Sequence, residues 1–406
     1  MILLKNATLI DGNGAPPQGG MHVLINEQQI VSITSSTDTP VPSENVREIN
    51  LAGKYLLPGF IDCHVHILFD PDPKTIPLVG PGAPYRLTLR GAQNARLTLE
   101  AGFTTVADMM SPNEAIFALR DAIAAGEIPG PRIIASGKCI TITGGHGTQY
   151  GLDAYIEADG EQEVFKAVRQ QIKAGADTIK LMASRPALSP PYRGREAYQA
   201  EEMIPGIKEA QRAGLRVHAH AHSIVSAIRQ AVLAGVDSVE HCAPVNEEVI
   251  KMMRDQGTFM VPTLSVSAGL EESIRDGSFP YGEKAMQRSL GLAQESSEAV
   301  ALAYARGVPL ALGTDASMPY VWHGKNAREF ELLVNCGVSP MDALVAGTSA
   351  AAKNLGIFHE TGSITTGKLA DLVVVDGDPL KDIRILQDPN AIKLVLKAGQ
   401  VAVNRF

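Results

Sequence analysis

Two hydrophobic textures divide the chain. Near both ends, apolar and polar positions take turns over short stretches: ILLKNATLI (2–10), MHVLI (21–25) and QQIVSI (28–33) at the start, SITTGKLADLVVVD (363–376) and IKLVLKAGQVAV (392–403) at the finish. A period of two marks half-buried β-strands. Neither terminal set could cover a sheet face alone. A small β-sandwich built from both ends, residues 1–56 and 360–406, is therefore expected. The stretch SSTDTPVPSEN (35–45) is a surface loop by composition.

Between the ends the texture changes. Amphipathic helical stretches end in glycine and pass within a few residues into apolar, β-rich runs, at Gly102, Gly175, Gly214, Gly235, Gly257 and Gly307. A helix that stops and turns sharply into a strand ends in a left-handed residue, which glycine adopts without steric cost. The runs that follow, among them TTVAD, TIKLM, VHAHA and SVEH, suit parallel strands buried on both faces. Strands are expected over 57–66, 103–108, 132–137, 177–182, 215–220, 236–241, 258–263 and 308–315. Eight such units over roughly 300 residues fit a closed barrel. The expected fold class is α/β: a distorted (β/α)8 TIM barrel over residues 57–359 carrying the small sandwich. An open doubly wound sheet is the alternative, but no G-x-G-x-x-G follows the first strand.

A chain of 406 residues has room for one large domain and a smaller one. The net charge of −8, with no basic block, argues against nucleic acid and anionic membrane as partners. No apolar run approaches the ~20 residues of a membrane span, and the opening stretch lacks the pattern of a signal peptide. The cysteines Cys63, Cys139, Cys242 and Cys336 are far apart with no C-x-x-C spacing, which suits reduced thiols in the cytoplasm.

The candidate chemistry collects at the strand ends. Of ten histidines, His64, His66, His146, His218, His220, His222 and His241 fall at or just past the ends of expected strands. In a barrel that rim is where active sites form. His64 and His66, two apart on a strand, face the same side and suit a divalent metal. Lys180 ends the fourth strand. An ammonium beside a metal is repelled by it, so Lys180 lies outside the site or is chemically altered. A carbamate formed with CO₂ is anionic, and burial exposes the nucleophilic amine it requires. His218, His220 and His222 share one face, too many for one metal position. Asp315 ends the eighth strand, where a carboxylate can bind metal and accept a proton from its water. Asp62 is expected to support the packing.

GFIDCHVH (59–66), TIKLM (178–182), HAHAHS (218–223), SVEHC (238–242) and GTDAS (313–317) resemble the ligand motifs of the amidohydrolase superfamily. GSITTGKLADLVVVDGDPL (362–380) resembles the C-terminal sandwich motif of those enzymes. ITGGHG (142–147) and WHGKNAREFELLV (322–334) are similar to the branch of Xaa-Pro-type dipeptidases, carboxypeptidases and ochratoxin-hydrolysing amidases, with imidazolonepropionase more distant. The resemblance implies two divalent ions; imidazole and carboxylate ligands suit zinc, with Mn²⁺, Co²⁺ and Fe²⁺ as alternatives. His64 and His66 would hold one ion and His220 and His241 the other. Lys180 as carbamate would bridge them, and Asp315 would sit by the bridging hydroxide. It selects His220 over His218 as ligand and makes His222 a substrate contact, where relatives often carry Tyr. It also implies a homo-oligomer and a small amide or peptide substrate.

The expected reaction is hydrolysis of an amide bond. Asp315 would move the water proton, and His146 and His222 would stabilise the oxyanion. Loop 183–199 offers Arg185, Arg193 and Arg195 for a substrate carboxylate. Tyr192, Arg193 and His323 are further candidate substrate contacts. Carbamate, ester, lactone or organophosphate cleavage on the same metals remains open. A mononuclear deaminase or imidazolone hydrolase would place an acid after His220, but Ala221, His222, Ser223 and Ile224 follow, and Lys180 would have no role. A non-catalytic scaffold would lack the ligand set.

Overall fold

The computed structural model describes residues 1–35, 46–72, 82–148, 152–185, 195–279 and 282–406. The amino-terminal strands are β1 (Ile2–Leu9), β2 (Gln18–Asn26), β3 (Gln29–Ser35), β4 (Arg47–Asn50) and β5 (Tyr55–Pro58). The central strands are β6 (Phe60–Val65), β7 (Phe103–Asp108), β8 (Arg132–Ala135), β9 (Cys139–Thr141), β10 (Tyr155–Glu157), β11 (Thr178–Met182), β12 (Arg216–Ala221), β13 (Ser238–His241) and β14 (Phe259–Val261). The last are β15 (Leu372–Val375), β16 (Ile392–Lys397) and β17 (Gln400–Asn404).

Strands from the two ends share one sheet, in the order β17-β16-β15-β5-β1-β2-β3 with β4 on β1. Alternation along β15 shows why both ends are needed. Leu372 and Val374 pack with Leu4, Val23, Leu56 and Leu394 in the sheet's own apolar cluster. Val373 and Val375 point the other way, into the large core with Phe60 and Phe103. Each half contributes strands that would otherwise expose an apolar face.

Central strands form two parallel sheets, β6-β7-β8 and β10-β9-β11-β12-β13-β14. They are joined at one side by Asp177, whose N–H donates to Ala135 O at 2.8 Å and whose carboxylate accepts from Ala135 N at 2.9 Å. On the other side, segment 308–316 is bonded to both sheets. Met260 N donates to Pro309 O (2.9 Å), Cys63 N to Leu312 O (2.8 Å) and Asp315 N to His64 O (2.7 Å). The helices alternate with these strands, and the six glycines that end helical stretches all have positive φ, from 73° to 96°. That is the left-handed stop expected of them.

Two strands depart from expectation. Residues 57–66 are two strands, parted at Gly59, where the chain leaves the terminal sheet for the central one. A Cβ on Gly59 would lie 2.1 Å from Thr104 Oγ1, so only glycine fits this passage. Residues 308–315 make isolated bridges, Met260–Leu310 and Val65–Ala316, in place of a regular strand. Gly313 lies flat against His64 and Val261, and Asp315 has φ 58°, which ends the extended run.

Asp371 fastens the terminal sheet to the central one. Its carboxylate is fully buried and accepts from Arg132 Nη1 (2.8 Å), Thr361 Oγ1 (2.8 Å) and Ala398 N (2.7 Å). Asp371→Ala strands these donors. Since Arg132 keeps some contact with water, the expected loss is about 2–3 kcal/mol, below the range for fully buried pairs. Urea denaturation checks it, and a loss under 1 kcal/mol contradicts it.

Candidate metal centre

The parallel register brings the candidate residues together. Lys180 pairs with His218 and His218 with Ser238 across β11, β12 and β13, and one step outward Met182 pairs with His220 and His220 with Glu240. Paired residues of a parallel sheet share a face. Strict alternation would send Glu240 and His241 to opposite faces. His241 has φ 65°, and this left-handed turn swings its ring back over the site. Its centroid lies 4.6 Å from that of His220 and 5.2 Å from that of His64.

His64 and His66 arrive from β6 and the residue after it, with ring centroids 5.4 Å apart. Asp315 faces both: its Oδ1 is 3.0 Å from His66 Nε2 and 3.5 Å from His64 Nε2. The potential ligand atoms of these three buried residues lie within 4.8 Å of one another.

Nitrogen roles follow from the partners. His64 Nδ1 is 2.6 Å from Glu240 Oε2, His66 Nδ1 is 3.3 Å from Met110 O, and His241 Nδ1 is 2.7 Å from Thr263 Oγ1. A carboxylate and a carbonyl can only accept, so His64 and His66 each donate through Nδ1 and carry a lone pair on Nε2. Both lone pairs then face the anionic Asp315 oxygen, which is repulsive unless a positive charge lies between them. The titration tendencies express the same demand. Burial pulls His66 down, yet the hydrogen bond and charge of Asp315 more than reverse this and leave it raised. Burial opposes ionisation of Asp315, but His64, His66 and Lys180 hold its carboxyl at about 2.

Several buried polar atoms converge here with no hydrogen-bond partner: Lys180 Nζ, His218 Nε2, His220 Nε2 and His222 Nδ1. Lys180 is 1% exposed. Burial lowers its amine pKa, with Glu240 and Asp315 opposing. An unpartnered buried ammonium costs several kcal/mol. This donor set of imidazoles, one carboxylate and one amine of depressed basicity fits divalent cations.

A profile of the amidohydrolase family matches residues 55–402. The chain belongs to the amidohydrolase family. It is 30% identical over 419 residues to ochratoxinase of Aspergillus niger, covering 97% of this chain and 85% of that protein. A crystal structure of a Xaa-Pro dipeptidase with methionine bound in its active site superposes with a TM-score of 0.89 at 32% identity, covering 98% of this chain and 99% of that one. Imidazolonepropionase of Cereibacter sphaeroides is 25% identical over 424 residues, covering 98% of each. These match the branches suggested by the motifs, and the chain is a hydrolase of this family.

Other expected site residues of this amidohydrolase are placed differently. His146 is brought in: its ring stacks on His220, with centroids 4.3 Å apart and planes 12° apart. His222 is brought in too, with its ring 5.6 Å from that of His241. Burial leaves both neutral, with His146 at about 3 and His222 at about 4, and the charge of Arg288 adds to the lowering at His222. His323 is buried, its Nε2 2.8 Å from Ser317 Oγ and its Nδ1 3.4 Å from Thr98 Oγ1. Tyr192 and Arg193 lie outside the described residues. Arg185 and Arg195 sit at the two edges of that loop, joined by a backbone hydrogen bond of 3.0 Å.

Three residues of the amidohydrolase site had no role from sequence. Glu240 accepts from His64 Nδ1 and from Ser238 Oγ at 2.5 Å, while His218 Nδ1 lies 2.7 Å from that same hydroxyl. Glu240 stands beside His241 in SVEH, and that adjacency was its one signal. Thr263 orients His241, and Arg288 brings positive charge toward His222. Asp62 does support the packing, accepting from His64 N, Thr314 N, Thr314 Oγ1 and Asn326 Nδ2 at 2.6–3.1 Å. Glu240→Gln offers His64 an amide where the carboxylate stood. Partners that orient metal-binding histidines are worth about 10–100-fold in metal affinity, and a loss of that size is expected. Competition with a chromogenic chelator measures it, and unchanged affinity contradicts the assignment.

Proposed function

We propose that this amidohydrolase cleaves the amide bond of a dipeptide or N-acyl amino acid with two divalent metal ions, zinc by donor preference. The observation that carries the reading is the convergence of the His64, His66, His220 and His241 rings, Asp315 and the unpartnered Lys180 Nζ on one space. His64 and His66 hold one ion and His220 and His241 the other. Burial lowers the Lys180 amine pKa, and the unprotonated amine would add CO₂ and release one proton to become a bridging carbamate. The architecture suits this role if the two parallel sheets and segment 308–316 form one distorted (β/α)8 barrel, residues 57–359, with a β-sandwich from 1–56 and 360–406. At that barrel's carboxyl rim, residues from different strands meet.

When bound, the two ions polarise the scissile carbonyl and acidify a water. The chain's own residues do the rest. Asp315, ionised at neutral pH, accepts the water proton at a carboxylate oxygen and passes it to the leaving nitrogen. His146 and His222, neutral, donate N–H to the carbonyl oxygen as charge develops on it. His323, both of whose nitrogens have protein partners, braces Ser317 next to the site. Arg185, Arg193, Arg195 and Tyr192 of loop 183–199 are the proposed substrate contacts, since a guanidinium suits a substrate carboxylate. Ochratoxinase and Xaa-Pro dipeptidase among the relatives support amide substrates. Free thiols at all four cysteines suit the cytoplasm. Among the described residues no helix is long and apolar enough to cross a membrane. A homo-oligomer is proposed from the family resemblance.

Elemental analysis of unchelated protein, with assays on dipeptides, N-acyl amino acids and aryl esters, tests the reading. Two transition-metal equivalents and turnover of at least one amide are expected. Absence of stoichiometric metal, or turnover of esters alone, would overturn it.

A further inference from the structure

We propose that Glu329 is a positioning residue for His241, acting through the amino terminus of the helix Leu264–Arg275 and the hydroxyl of Thr263. The proposal rests on the reading that His241 holds metal.

Thr263 precedes that helix with φ 50° and ψ 46°. A β-branched residue in the left-handed region is strained. A threonine at this position ordinarily caps the helix by accepting from a backbone N–H of its first turn. Here Thr263 makes no such bond, and its Oγ1 lies 2.7 Å from His241 Nδ1. The first turn of the helix also has no acidic residue of its own.

Glu329 supplies both missing parts from 65 residues away. It is fully buried. Its Oε1 accepts from Leu264 N at 2.7 Å, and its Oε2 accepts from Ser265 N at 2.8 Å and Ser265 Oγ at 2.6 Å. A remote carboxylate thus satisfies the helix terminus and places negative charge at its positive end. That releases the Thr263 hydroxyl to accept the Nδ1 proton of His241, which leaves the Nε2 lone pair for the site. The same grip on the next two N–H groups holds Thr263 in its strained conformation. Burial lifts the Glu329 carboxyl to about 7 even with three donors opposing the shift. Handing the capping to Glu329 lets Thr263 serve the histidine.

Full-length Glu329→Gln, Thr263→Val, Thr263→Ser and His241→Ala are stripped with chelator and titrated with Co²⁺. Bound equivalents and visible d–d absorption are read. Glu329→Gln and Thr263→Val are expected to weaken one of the two equivalents about 10-fold or more. Thr263→Ser should keep native affinity. The Glu329→Gln/Thr263→Val double variant should be no worse than the weaker single, because both act through one hydroxyl. The proposal is overturned if Glu329→Gln lowers the melting temperature yet binds Co²⁺ like the native chain, or if the two losses multiply. Should Glu329→Gln fail to fold, Ser265→Ala removes one of the three donors. A smaller loss of the same equivalent is then expected, and unchanged affinity overturns the proposal. His241→Ala separates the two levels. If it retains both equivalents, the metal role of His241 is wrong. If it loses one while Glu329→Gln loses none, the positioning role alone is wrong.

Discussion

Asp315→Asn is expected to reduce turnover about 10²–10⁴-fold, the span of general acid–base catalysis, with the fold intact. The side chain keeps its size and loses its charge. The backbone tolerates the change, because Asp315 sits at φ 58° and asparagine enters the left-handed region as readily as aspartate. The Asp315 N–H to His64 O bond, 2.7 Å long, involves no side-chain atom and survives. What disappears is the ionised oxygen 3.0 Å from His66 Nε2 and 3.5 Å from His64 Nε2. Without it no carboxylate of the His64–His66–Asp315 cluster can take the water proton. Steady-state kinetics on metal-replete variant, with bound metal and melting temperature measured on the same sample, decide the matter. Near-native turnover with metal in place would remove Asp315 from proton transfer.

Lys180→Met should move two observables in opposite directions. Stripped of metal, the variant is expected to be more stable than the native chain by roughly 1–4 kcal/mol, the range for replacing a buried charge by an apolar side chain of similar volume. Lys180 is 1% exposed and its Nζ has no hydrogen-bond partner, so the native amine is held there at a cost. With metal supplied, the order reverses. The variant cannot form the carbamate, holds fewer than two equivalents, and loses amide hydrolysis. Denaturation with and without Zn²⁺, beside elemental analysis, reads both effects. A variant that is less stable when stripped, or that still binds two equivalents, contradicts the proposed role.

The agreement between sequence and structure is closest where the physics is local. The left-handed stops at Gly102, Gly175, Gly214, Gly235, Gly257 and Gly307 depend on a few adjacent residues, and all were legible. The shared terminal sheet was legible too, since neither set of strands could be covered alone. Residues 308–315 were misread as a regular strand, because their sequence is as β-rich as the others. Their irregularity comes from Gly313 lying against His64 and from the turn at Asp315.

Sequence alone determined which chemical groups stand at the strand ends, because side-chain type and strand alternation are written in consecutive residues. It could not determine which nitrogen each imidazole turns toward the site. Glu240 meets His64 across 176 positions, Asn326 meets Asp62 across 264, and Glu329 meets Leu264 across 65. Hydrogen-bond direction and left-handed backbone at His241, Thr263 and Asp315 arise only when such distant segments pack, so tertiary structure alone decided how the rings are aimed.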